Sequence, residues 1–147
     1  MREILFRGKR VDNGEWIIGD LITTPFIRNE TQQHIIYILD ITKADYDCFE
    51  DLTEDNGIFE VAPETVCQYA GYKDDTGRSI FEGDIVNFTD GTLTESGFWE
   101  TCCCGKVGYD EEEACFYVTN RLSAESWEVL GECHIIGNIF DNRELTV

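Results

Sequence analysis

The sequence is poor in cations, in histidine and in long apolar runs. Over 147 residues, 11 lysines and arginines stand against 30 aspartates and glutamates, a formal charge of −19. Such a surface repels phosphate, which disfavours binding to a nucleic-acid backbone or to anionic lipid. It favours cationic proteins or metal cations as partners. A dispersed acidic surface also serves simply to keep a protein dissolved. Only two histidines occur, His34 and His134. His34 precedes an apolar run among Gln32 and Gln33, and His134 precedes Ile135, positions of strand-edge residues rather than of general bases. The longest apolar run, Ile35–Leu39, is far too short to span a bilayer, and no signal peptide is evident. Cys-x-x-Cys knuckles are missing as well. Seven cysteines are an odd number, and Cys102, Cys103 and Cys104 are consecutive. Neighbouring cysteines do not readily pair, so no complete disulfide framework forms and a reducing cytoplasm is the expected setting.

What remains is enough for a core. Hydrophobic residues make up 42% and aromatics 12% of a chain about one domain long, which argues against disorder. The organising stretch is Tyr69–Phe88. It passes from a polar turn (Lys73 to Gly77) through Ile80-Phe81 and a Glu82-Gly83-Asp84 corner into the alternating run Ile85, Val86, Phe88. No catalytic group with a matching partner lies within it.

The N-terminus reads as a β-hairpin, with Asn13-Gly14 between two apolar runs. Its Asp12-Asn13-Gly14 and Gly19-Asp20-Leu21 are echoed by Asp75-Thr76-Gly77 and Gly83-Asp84-Ile85, suggesting one corner device used twice. Thr31–Thr42 and Gly57–Val61 read as short strands, the second stopped at Pro63. Between them Thr42–Leu52 reads as a short helix or acidic loop, rich in Asp45, Asp47, Glu50 and Asp51. Pro63–Val66 reads as a hinge or turn, giving an N-terminal β lobe over 1–66 and a second lobe over 67–147, together one compact unit. In the second lobe Thr89–Gly97 reads as a turn-rich loop, and Leu122–Trp127 as a loop or short turn. Gly105–Tyr109 and Cys115–Val118 read as a hairpin, and Glu132–Phe140 as a strand broken at Gly137. The fold expected is mainly β: a small, partly open SH3-like barrel with an N-terminal β-hairpin lobe and at most one short helix.

These blocks resemble the YopX family of phage and prophage proteins. The carriers are Ile4–Lys9 with Gly14-Glu15-Trp16 and Gly19-Asp20-Leu21, then Gln68–Gly71 with Lys73-Asp74, Gly77 and Ile80–Val86, and finally Ile136–Asn142 with Glu144-Leu145. They lie in the family's order and cover most of the chain. The family commonly shows Val-Ile-Gly-Asn-Ile and a proline after the tail asparagine, where this chain has Ile135-Ile136 and Arg143. The resemblance implies a largely β fold in a bacterial or phage cytoplasmic setting. It carries over no catalytic residue and no defined biochemical role.

Candidate chemistry is thin. A zinc site built from Cys102–Cys104, Cys115, Cys133 and His134 lacks a knuckle. Successive strand residues point to opposite faces, so at most Cys102 and Cys104 share a side, and free thiols are the expected state. Carboxylate pairs such as Glu82 with Asp84, or Glu111-Glu112-Glu113, carry little specificity in so acidic a chain. Asp20 and Asp84 are expected to accept backbone N–H groups at their corners. The Gly83–Val86, Gly91 and Gly105–Val107 pattern also resembles nucleic-acid-binding KOW or Tudor-like barrels, but these loops supply almost no lysine or arginine. Phe98, Trp99 and Trp127 are candidates for a protein-binding patch. The expectation is therefore a phage-derived accessory or binding protein, with no catalysis, no cofactor, no metal, no nucleic acid and no membrane. Its partner is a protein, a basic one being favoured, and a homo-oligomer is compatible with this reading. The alternatives are a metal-dependent hydrolase using carboxylates near the Gly-Asp corners, and an acidic decoy of nucleic acid.

Overall fold

The computed structural model describes residues 1–28, 34–40, 57–119, 124–125 and 132–145. The acidic stretch within 42–55 and Trp127 lie outside them. The chain is mainly β. Among the described residues, helix is confined to 3-10 conformation at Pro63–Thr65, at Glu132 and at Arg143–Leu145. Two compact units are present, Met1–Gln68 and Tyr69–Val147, and each has its own core.

In the first unit the strands are β1 (Phe6–Lys9), β2 (Trp16–Arg28), β3 (His34–Asp40) and β4 (Ile58–Val61). They form an antiparallel ladder in the order β4-β3-β2-β1. Phe6 and Arg7 pair in turn with Gln68 and Cys67, the first residues of β5 (Cys67–Lys73). The N-terminal hairpin closes as expected, with Lys9 opposite Trp16 and Phe6 opposite Gly19. Its turn is wider than two residues. Gly14 alone takes a left-handed φ of 72°, while the Asn13 side chain accepts the backbone N–H of Glu15 at 2.9 Å. Ile17, Ile38, Phe59 and Val61 meet in the core, flanked by Phe6, Leu21, Ile36 and Val66.

In the second unit the remainder of β5 pairs with β6 (Ser79–Phe81), Tyr69 opposite Phe81 with ring centroids 5.7 Å apart. The main sheet is antiparallel and open, in the order β10-β9-β8-β7-β11. Its members are β7 (Asp84–Thr94), β8 (Gly97–Asp110), β9 (Cys115–Thr119), β10 (Ala124–Glu125) and β11 (His134–Asn138). The β8–β9 hairpin is as expected. β11 is not broken at Gly137, which stays in the strand opposite Ile85; the irregularity is a register shift between Ile135 and Gly137. The segment Thr89–Gly97 is not a loop. Ten consecutive pairs from Ile85–Lys106 to Thr94–Gly97 make β7 and β8 one long ribbon, turning only at Glu95-Ser96. Ala70, Ile80, Val86, Phe88, Val107, Phe116, Val118, Cys133 and Ile135 form the core beneath the near half of that ribbon.

The two Gly-Asp corners are not equivalent. Gly83 has a φ of 79°, and the Asp84 carboxylate, 1% exposed, accepts the Phe81 N–H at 2.8 Å. Gly19 is an ordinary β2 residue paired with Phe6 and Asp40, and Asp20 sits exposed on β2 opposite Leu39. The left-handed φ of Gly83 makes a corner there, whereas Gly19-Asp20 simply continues a strand.

Candidate functional site

Two features of the second unit bear on function. The first is a clasp formed by Asp74, Asp75 and His134, whose ligating atoms all lie within 4.8 Å of one another. Asp74 is buried at the turn after β5. Its Oδ1 accepts the Thr76 hydroxyl (2.7 Å) and the backbone N–H groups of Thr76 and Arg78 (2.9 Å each), and its Oδ2 accepts the Ile135 N–H at 3.2 Å. Burial alone pushes this carboxyl up. The hydrogen bonds from Thr76, Arg78 and Ile135 overrule it and hold the group down at about 2. Asp75 donates its backbone N–H to the Cys133 carbonyl at 3.0 Å, and its carboxylate meets His134 Nδ1 at 2.7 Å. His134 Nδ1 lies 4.0 Å from Asp74 Oδ2. These contacts bind a turn to a strand far along the chain. Sequence reading places His134 on a strand edge, which is where it lies. It does not anticipate the Asp74 and Asp75 contacts, because they join residues about 60 positions apart.

The cysteines do not assemble. Cys102 and Cys104 are exposed on one face of β8, with Cys103 half-buried against the core on the other. Burial, followed by the charge of Cys102, raises the Cys104 thiol. Cys133 is buried in the core, and burial together with the charges of Asp74, Asp75 and Asp84 pushes it up to about 11. Among the described residues no three cysteines share a metal-holding cluster.

The second feature is the far half of the β7–β8 ribbon. Directly opposed residues share a face, so Val86, Phe88, Gly105 and Cys103 mark the core-facing side, and strand alternation puts Trp99 on that same side. The core ends before that point. Trp99 remains 60% exposed, and Phe98, on the opposite face, 62%. Both faces of the arm therefore carry a large uncovered aromatic ring. Sequence reading picks out these two residues but assigns the segment before them to a loop, so it does not place them at the end of a ribbon.

Among the described residues no helix is long and apolar enough to cross a membrane. Comparison with known proteins gives a consistent picture. No curated protein matches the chain. A crystal structure of protein EF1440 from Enterococcus faecalis shares the fold, at 21% identity and a TM-score of 0.53 over 100% of both chains. The family model described as YopX protein matches residues 5–146, nearly the whole length, and the chain belongs to that family.

Proposed function

We propose that this chain is a non-enzymatic binding or accessory protein of phage or prophage origin, acting in the bacterial cytoplasm and engaging a protein partner through its β7–β8 arm. One observation carries the reading: Phe98 and Trp99 are uncovered on the two faces of a ribbon that extends past its own core. Large exposed aromatic groups mark interaction sites. A role without catalysis is supported by the carboxylates that a hydrolase would need. Asp84 is buried and accepts the Phe81 N–H, and Asp74 accepts four hydrogen bonds that hold its turn.

The test is affinity capture from bacterial lysate with the full chain and with its Phe98→Ser/Trp99→Ser variant, at low and high salt. The reading expects a partner retained by the parent at high salt and lost by the variant. Equal capture by both would contradict it, and a partner released by salt from both alike would instead favour a decoy of nucleic acid.

A further inference from the structure

We infer that the β7–β8 arm takes an extended, basic polypeptide segment as an added strand along β8. The inference rests on the binding-arm reading above and names its occupant.

Three observations converge on it. The first is backbone geometry. β9 pairs with β8 only over Lys106–Asp110, and β11 pairs with β7 only over Asp84–Asn87. Among the described residues, no strand lies beyond β8 over Gly97–Cys102. A strand edge of this kind offers a row of N–H and C=O groups to an incoming chain, which is how sheets capture extended peptides. The second is surface chemistry. Trp99 stands on the side that is core-facing nearer the base, so an added strand would cover the ring that the protein's own core leaves bare. The third is charge. From Glu82 to Gly105 the chain has no lysine or arginine, while the exposed Glu95 and Glu100 sit on the arm itself.

A cation placed over Trp99 or Phe98 gains from the ring face as well as from these carboxylates. The same charge argues against a second copy as occupant. Two arms laid side by side would set Glu95 and Glu100 of one against those of the other with no cation, on chains that each carry −19. An acidic or neutral peptide would satisfy the backbone edge but leave the carboxylates unmatched. The alternation of strand faces adds a requirement on the ligand: arginines at every second position reach one face together.

The test is calorimetric titration of the full chain with a synthetic peptide alternating arginine and threonine. Its controls are the same peptide N-methylated on alternate backbone amides, and one with glutamate for arginine. The inference expects saturable one-to-one binding of the first peptide, about tenfold or greater weakening by N-methylation, and a similar loss in Phe98→Ser/Trp99→Ser, whose charges are unchanged. The glutamate peptide should not bind. Undiminished binding by the double variant or by the N-methylated peptide would overturn the inference, since it would reduce the attraction to bulk charge. So would sedimentation showing that the free chain self-associates and that the double substitution abolishes this, which would make a second copy the occupant. If no basic peptide binds while lysate capture remains arm-dependent, the occupant is wrong and the arm stands. If neither depends on Phe98 and Trp99, both fail.

Discussion

The Asp74 carboxylate accepts the backbone N–H of Ile135 at 3.2 Å, tying the turn after β5 to β11 across 61 positions of sequence. The same group holds Thr76 and Arg78, so one buried anion orders a turn and pins the edge strand of the main sheet. Removing it leaves several backbone donors facing no acceptor. Asp74→Ala is expected to destabilise the fold by about 3 kcal/mol, and Asp74→Asn, which keeps one acceptor oxygen, by about half of that. Urea unfolding of both variants measures the difference. By contrast, His134→Gln, which changes the exposed pair with Asp75 and the longer approach to Asp74, should cost less than about 1 kcal/mol.

Acid sensitivity follows from the same carboxyl. It titrates at about 2 in the folded chain against an ordinary 3.8, so between these values the unfolded chain binds more protons and stability rises with pH. The contribution, about 2 kcal/mol, is fully present above the ordinary carboxylate range and is lost as pH falls through about 2. Urea midpoints followed downward from neutral pH should fall more steeply for the parent than for Asp74→Asn over this window.

The corner before β7 makes a second demand on sequence. Gly83 has a left-handed φ of 79°, and a Cβ there would lie 3.3 Å from both Ile139 and Phe140 side chains. Gly77 has a similar φ of 85° with open space around it. Gly77→Ala should therefore cost about 1 kcal/mol of backbone strain, and Gly83→Ala about 2 to 3 because crowding is added to it. Comparing the two thermal or urea transitions separates strain from packing.

Thiol labelling should sort the cysteines by position. Cys102 and Cys104 are exposed on β8, whereas Cys133 is buried and raised to about 11. In the native protein, mass spectrometry after limited alkylation is expected to find the first two modified and Cys133 protected until denaturant is added. Early modification of Cys133 would contradict its place in the core.

What the sequence reveals is mostly local. Asn13-Gly14 marks the N-terminal hairpin because turn chemistry is written in adjacent residues, although only Gly14 takes the left-handed conformation. The alternation of Ile85, Val86 and Phe88 marks β7, but its continuation is hidden. Gly91, Thr92 and Thr94 read as turn formers, and only pairing with β8 makes them strand. Asp20 and Asp84 share a Gly-Asp context and diverge because backbone φ at the preceding glycine, not identity, decides whether a corner forms. The Asp74 clasp is illegible for another reason. Its donors come from Thr76, Arg78 and Ile135, and the last is brought there by tertiary folding alone. Phe98 and Trp99 stand out as aromatics, yet their exposure depends on where the core ends.

The central claim is that recognition belongs to the arm and not to the acidic surface at large. Its most direct test is a backbone amide NMR titration of the full chain with the arginine–threonine peptide. The account predicts shift changes concentrated at Gly97–Cys102 and the facing part of β7. Changes spread over acidic residues throughout the chain, or centred on Asp74, Asp75 and His134, would contradict it.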